Sequence, residues 1–182
     1  MDESSSEQRD NIPYRQFTTR GLPQWQLAII SKYPSIYLEA SPKVLSLYED
    51  YPENLDLENY CNLRSGFECG PGWAKLIDDF SARAVALVTA LHSFGWQSDA
   101  CISSFIFKEK FGTLDWQGHD NLIEPFKTFF FAYTLHIQAK SGSICERTGA
   151  FGQRRDLRGR IITLCDEEYE KERKRLSLPR SR

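Results

Sequence analysis

Apolar residues recur at spacings of three and four from Trp73 to Leu91, directly after Gly70-Pro71-Gly72. This spacing is the period of one face of an α-helix. It predicts an amphipathic helix of about six turns with a single apolar stripe. Residues 93–95, Ser-Phe-Gly, should end it, because glycine adopts left-handed backbone geometry readily.

A different pattern follows at residues 102–108, where polar and apolar residues alternate in part. We expect a strand there, a turn at residues 110–112 and a partner strand at residues 113–116. A second long helix should begin after a cap at Asp120 or Asn121 and include Pro125 in its first turn. Its apolar stripe would contain Leu122, Ile123, Phe126, Phe130, Tyr133 and Ile137.

Shorter elements flank these. Residues 24–30 predict a helix that ends at Tyr33-Pro34, since a residue before proline disfavours the α conformation. Residues 42–48 predict another short helix. The β-prone segments 143–145 and 161–165 indicate a hairpin-like tail, and the charged residues that follow Cys165 indicate a solvated helix.

Together the patterns predict an α+β fold, with two long amphipathic helices packed on a small antiparallel sheet and a short β-hairpin-like C-terminal tail. Residues 1–11 are polar and are expected to be a disordered lead. Residues 12–168 form the expected single domain, of which 141–168 are a ribbon-like subregion. Residues 169–182 are expected to be a charged, fraying C-terminus.

Composition adds limits on the class of protein. The chain has 182 residues, 41% of them hydrophobic, and a chain of this length can bury a sufficient core without disulfides or metal. Lys and Arg number 23 against 25 Asp and Glu, so a globally basic nucleic-acid binder is disfavoured. The start of the chain is acidic, and no apolar run approaches the roughly 18 residues of a membrane span. We expect a cytoplasmic protein with reduced cysteines and no membrane association.

Charge is separated along the chain. Residues 49–79 contain eight acidic and two basic residues, whereas residues 140–182 contain twelve basic and seven acidic ones. Each block is either a solvated face or a binding surface. The acidic side chains that would contact a basic protein are Glu49, Asp50, Glu53, Asp56 and Glu58. The basic ones that would contact nucleic acid phosphates, with strong salt dependence, are Arg154, Arg155, Arg158 and Arg160.

Candidate catalytic residues are few. The three histidines are scattered, and no known catalytic spacing surrounds them. We therefore expect no enzyme activity and no cofactor, with His119 or Glu109 as the residual catalytic alternative. Residues 129–131 are three consecutive phenylalanines, which cannot all point inward from one helix. Either that helix is buried on two sides or one of the rings meets a partner.

The tail contains Cys145 and Cys165, each followed three positions later by a poor or uncertain zinc ligand, Thr148 and Glu168. Two good ligands and one possible one do not complete a tetrahedral zinc site. We expect no metal, and interpret the pair as two buried thiols that face each other across a hairpin.

Several segments resemble a widespread family of small bacterial and phage proteins that has no assigned biochemical role. The resemblance extends from about Lys32 to Glu168, and it is carried by residues 32–37, KYPSIY; 66–73, GFECGPGW; 108–114, KEKFGTL; 143–146, SICE; and 163–167, TLCDE. It implies a zinc-ribbon-like tail in which Cys145 and Cys165 remain of a possible ancestral site. Because Thr148 and Glu168 replace the other ligands, this tail is expected to fold without the ion, by packing Phe151, Leu157 and Ile162.

The function expected from these observations is that of a non-catalytic protein-binding module. Its most specific form is a bacterial immunity-type protein that neutralises a cognate toxin in a 1:1 complex, with the acidic residues 49–58 on a basic toxin face. The alternative is a phage or prophage accessory protein that contacts nucleic acid through its basic tail.

Overall fold

The computed structural model describes residues 21–37 and 66–177, with the side chain of Phe105 excepted. The expected disordered lead, the expected helix at residues 42–48 and the acidic residues 49–58 lie outside this part of the chain. The elements are α1 (Gln24–Lys32), α2 (Pro34–Tyr37), β1 (Phe67–Glu68), a 3-10 turn (Pro71–Trp73), α3 (Ala74–Ser93), β2 (Ile102–Lys110), β3 (Thr113–Asp120), α4 (Phe126–Ser141), β4 (Gln153–Leu157), β5 (Arg160–Leu164) and α5 (Asp166–Ser177).

The α+β class is confirmed, but the sheet is mixed rather than antiparallel. Within the described residues its strand order is β1-β2-β3. β2 and β3 form the predicted antiparallel hairpin, whereas β1 runs parallel to β2. Phe111 and Gly112 join the hairpin with positive φ angles of 51° and 78°. Two consecutive positive φ angles are typical of the type I′ turn, whose twist matches that of the flanking strands.

The stripe predicted on α3 faces the core as expected. Trp73, Ile77, Phe80 and Leu91 are fully buried along it. Phe80 lies at the centre, and its ring is 5.3 Å from that of Phe107 on β2. It also contacts rings of β3 and α4, and therefore joins three elements.

The second long helix begins later than predicted. α4 starts at Phe126, and Pro125 precedes it instead of lying in its first turn. The physical reason is that a proline disfavours helical backbone geometry for the residue before it, here Glu124. Asn121 does not cap a helix; its side chain accepts a hydrogen bond from the Cys101 amide at 2.7 Å. Phe130 and Ile137 of the predicted stripe are buried on α4.

The tail is a two-stranded hairpin, β4-β5, followed by the predicted charged helix, α5. Its small core contains Cys145, Ile162 and Leu164, with Leu157 partly buried against them. The expected contribution of Phe151 is wrong, because that ring is 74% exposed. No helix in the described ranges combines the length and apolar character that a bilayer crossing requires.

Candidate functional site

The glycine-rich segment before α3 wraps around the segment that contains Glu146. The amide of Gly72 donates to the backbone oxygen of Glu146 at 2.7 Å, and the Trp73 indole donates to the backbone oxygen of Ile144 at 2.8 Å. A Cβ at Gly70 or Gly72 would clash with backbone atoms of residues 145 and 146. Both positions therefore require glycine because two backbones approach closely.

Glu146 itself carries an unusual carboxyl group. Its Oε1 accepts a hydrogen bond from the Gly70 amide at 2.9 Å, while its Oε2 is buried and has no hydrogen-bond partner among the described residues. Burial raises the pKa of this carboxyl, and the nearby negative charge of Glu109 raises it further. The hydrogen bond from the Gly70 amide and the charges of Arg160 and Arg147 lower the pKa, but they do not cancel the increase. The carboxyl is therefore easier to protonate than an exposed one.

Glu109, the residual catalytic candidate, is engaged in the hairpin turn. Its Oε1 accepts from the Gly112 amide at 2.7 Å, and its Oε2 lies 3.5 Å from an Arg160 nitrogen. The Thr163 hydroxyl donates to the Gly112 carbonyl at 2.5 Å. The Glu146 amide in turn donates to the Thr163 carbonyl at 3.0 Å. The segments around residues 70, 110, 146 and 163, four of the five on which the expected resemblance rests, thus meet at one place.

Cys145 and Cys165 lie together at the base of the tail. Cys145 is fully buried and Cys165 is partly exposed, so the expectation of two buried thiols holds for Cys145 alone. Burial acts to raise the pKa of the Cys145 thiol. Hydrogen bonds from the Thr148 hydroxyl and from the amides of Cys165, Thr148 and Arg147 outweigh it and lower that pKa.

The donors around these thiols do not fit the zinc site that the resemblance implies. Thr148 supplies a hydroxyl, 3.8 Å from the Cys165 sulfur. Glu168 is ion-paired with Arg147 at 3.3 Å and with Lys171 at 2.8 Å. Among the described residues, no three His, Cys, Asp or Glu side chains are placed to hold a metal ion.

The four arginines of the nucleic-acid alternative do not form one uniform surface. Successive residues of β4 point to opposite faces, which separates Arg154 from Arg155. Arg155 pairs with Asp166 and lies over the Tyr169 ring at 4.5 Å. Arg158 donates to the backbone oxygen of Leu176, and Arg160 is paired with Glu109. Arg154 is exposed.

The histidines have separate surroundings. The His92 Nε2 is 2.9 Å from the Ala100 carbonyl, and the His136 ring lies 6.4 Å from that of Tyr133. The Nε2 of His119 is buried, and it has no hydrogen-bond partner in the part of the chain that the structure describes.

A group of large apolar side chains, all of them exposed except the partly buried Phe126, lies where the α3–β2 loop meets the start of α4. We name it the aromatic patch, and it consists of Phe94, Trp96, Ile123, Phe126 and Phe129. Phe94 stacks on Trp96 at 5.1 Å, and Trp96 stacks on Phe126 at 5.4 Å. Phe129, one turn after Phe126, is 66% exposed. Of the three consecutive phenylalanines, Phe130 alone is buried.

Comparison of the chain with protein-family models, with curated proteins and with solved structures finds no match in any of the three.

Proposed function

We propose that this chain is a non-catalytic protein-binding module and that the aromatic patch is its contact surface. The observation that carries the proposal is the exposure of the patch: Phe94, Trp96 and Phe129 are 67%, 57% and 66% exposed. Contiguous exposed apolar surface is a mark of interaction sites in soluble proteins. Aromatic residues are also enriched among the side chains that dominate binding energy.

The patch is held in place by hydrogen bonds, which favours binding because less conformational freedom is lost in the complex. The Gln97 side chain donates to the Asn121 carbonyl at 2.8 Å and accepts from the Ile123 amide at 3.1 Å. The Asn121 side chain donates to the Asp99 carbonyl at 2.7 Å. These bonds join the loop that carries Trp96 to the segment that leads into α4.

The specific form of the proposal is an immunity-type protein that neutralises a cognate toxin in a 1:1 complex. The acidic residues 49–58 are proposed to contact a basic face of the toxin, where opposite charge would accelerate association. The rings of the aromatic patch would supply the desolvated centre of that interface.

Nucleic-acid binding through the tail is the weaker proposal. Three of the four arginines already pair with Asp166, with the end of α5 or with Glu109. Contacts with phosphates make affinity fall steeply as the salt concentration rises. A salt-dependent affinity that is lowered by Arg154→Ala would favour this alternative.

Affinity capture from the native host tests the protein-binding proposal. The tagged full chain is compared with a Trp96→Ala, Phe129→Ala double variant and with Phe151→Ala. Phe151 is the matched control, since its ring is 74% exposed and lies outside the aromatic patch. We expect one stoichiometric partner with the wild type and Phe151→Ala, and its loss with the double variant.

Growth assays then test the immunity form. The captured protein, expressed alone, should stop growth, and the wild-type chain should restore it while the double variant should not. Equal capture by all three chains would contradict the role of the aromatic patch. A stoichiometric partner without toxicity would contradict the immunity form and leave protein binding supported.

A further inference from the structure

One turn of the tail brings the two cysteines close together. Thr148 Oγ1 lies 3.8 Å from the sulfur of Cys165, and Thr148 belongs to the turn that the Gly149 amide closes by donating to the Cys145 carbonyl at 2.9 Å. Cys165 also packs against the small core that contains Cys145. The two thiols, 20 positions apart in sequence, thus lie in one cluster.

The backbone holds the two segments together as well. The Glu146 amide donates to the Thr163 carbonyl at 3.0 Å, which joins the residue after Cys145 to β5, the strand that ends one residue before Cys165. The Cys145 thiol is therefore held near the main chain from which the second thiol projects. Rotation about the Cα–Cβ bond of Cys165 changes the separation of the sulfurs without movement of either backbone.

The two thiols differ in solvent exposure, which sets the order in which they can react. Cys165 is partly exposed and accessible to a small reagent, whereas Cys145 is fully buried. The exposed thiol can react first, and the buried thiol is held where it can displace the reagent.

We infer that Cys145 and Cys165 form a reversible disulfide bond when the folded chain meets a small-molecule disulfide. The Cys165 thiolate attacks one sulfur of the reagent, which forms a mixed disulfide and releases one thiolate. The Cys145 sulfur then attacks the Cys165 sulfur, which forms the protein disulfide and releases the second thiolate. Two protein thiols lose two electrons and two protons, and one reagent disulfide becomes two thiols.

The consequence is a covalent link between two parts of the site. Cys145 precedes Glu146, which the glycine-rich segment surrounds, and Cys165 precedes the first residue of α5. Oxidation would join the start of α5 to that segment, independently of the aromatic patch and of the proposed function.

Peptide mapping tests the inference on the full chain. The reduced protein is equilibrated with oxidised glutathione, alkylated and digested with trypsin. Cleavage places Cys145 on the peptide of residues 141–147 and Cys165 on that of residues 161–171. We expect these two peptides to be linked, and to separate when reduced glutathione is added in excess.

Variants and folding state provide the controls. Cys165→Ser should abolish the link between the two peptides. Cys101→Ser should keep it, since Cys101 lies on neither of these peptides. Because Cys165 is partly exposed, its serine variant should stay folded, which circular dichroism checks. The yield of the link should fall when the wild type is oxidised in denaturant.

Three results would overturn the inference. The first is a stable glutathione adduct on Cys165 that never proceeds to the linked peptides. The second is a yield of the Cys145–Cys165 link no higher than that of other cysteine pairs. The third is stoichiometric zinc in the reduced protein that is lost in Cys165→Ser, because a shared ion would then occupy both thiols.

Discussion

Gly70 and Glu146 are 76 positions apart, and the amide of the first donates a 2.9 Å hydrogen bond to a carboxyl oxygen of the second. The other oxygen of that carboxyl is buried, and no group within residues 21–37 and 66–177 forms a hydrogen bond with it. A buried polar group without a hydrogen bond destabilises the fold, and an ionised one more strongly. Glu146 therefore joins two parts of the chain, and the free energy lost by burying its carboxyl is larger when that carboxyl is ionised.

Glu146→Gln should change how stability depends on pH. The carboxyl has a pKa raised above its ordinary value of 4.5, mainly by burial. The folded state therefore holds the proton to higher pH than the unfolded state does. The contribution of Glu146 to wild-type stability is therefore full below about pH 4.5 and falls as pH rises through the raised pKa. The neutral glutamine removes this fall, so its stability relative to wild type should increase with pH.

Denaturant unfolding at a series of pH values measures the effect. Each tenfold difference in proton affinity between the folded and unfolded states corresponds to about 1.4 kcal/mol. Glu170→Gln is the matched control, because its side chain is 46% exposed and on the surface of α5. Parallel pH curves for the wild type and Glu146→Gln would contradict the prediction.

Gly72→Ala should destabilise the protein through backbone overlap. The added Cβ would clash with the Cys145 carbonyl and the Gly149 amide, neither of which is a flexible side-chain end. Overpacking of this kind costs about 1–3 kcal/mol. Thermal unfolding compares this variant with Gly142→Ala. At residue 142 the atom nearest to the added Cβ would be the Ala139 carbonyl oxygen, at 3.3 Å, so the backbones would not overlap as they do at residue 72. A similar Tm for both variants would count against the close approach at Gly72.

Local patterns predicted the elements that local physics determines. The apolar stripe of α3 has the helical period over its whole length, and Phe111-Gly112 lies at the two turn positions where positive φ is needed. The later start of α4 could also have been predicted from the sequence, since Pro125 restricts the backbone conformation of the residue before it. The two-residue strand β1 is too short to show any period.

The site could be predicted only in part, because its contacts are distant in sequence. The expected family resemblance rests partly on the segments around residues 70, 110, 146 and 163. It gave no physical reason why these segments should lie close together in the fold. Nothing local in Glu146 shows that the Gly70 amide reaches it. The two glycines flanking Pro71 were the available signal, since they allow a second backbone to approach. Helical geometry indicated that the three consecutive rings could not all point inward, but it did not show whether the helix would be buried on two sides or that Phe129 would be exposed.

Phe80→Ala should be among the most destabilising single changes in the core. The ring is fully buried, and it contacts Phe107, Trp116, Phe130 and Tyr133. Truncation leaves a cavity between α3, the sheet and α4, which costs about 3–5 kcal/mol. Phe131→Ala on exposed α4 surface should change the free energy of unfolding by less than about 0.5 kcal/mol. Comparable losses in urea unfolding would show that Phe80 is not at the centre of the core.

Arg147→Met should loosen α5 from the rest of the tail. The guanidinium pairs with Glu172 at 2.8 Å and with Glu168 at 3.3 Å, and methionine keeps the apolar stem without the charge. Amides of residues 166–177 should exchange with solvent about threefold to fivefold faster in hydrogen–deuterium exchange. Arg173→Met is the control, because Arg173 pairs with Glu170 within α5 itself.

The same variant should lose its effect in acid. Hydrogen bonds from Arg175 first and Arg147 second lower the pKa of Glu172 to about 2 from its ordinary 4.5. A lowered pKa means that this pairing stabilises the fold above about pH 4.5 and is lost as pH falls through about 2. The difference in exchange between wild type and Arg147→Met should therefore shrink over that interval. A difference that stays constant down to about pH 2 would mean that Arg147 holds α5 by packing alone, because only the ion pairs respond to protonation of the carboxylates.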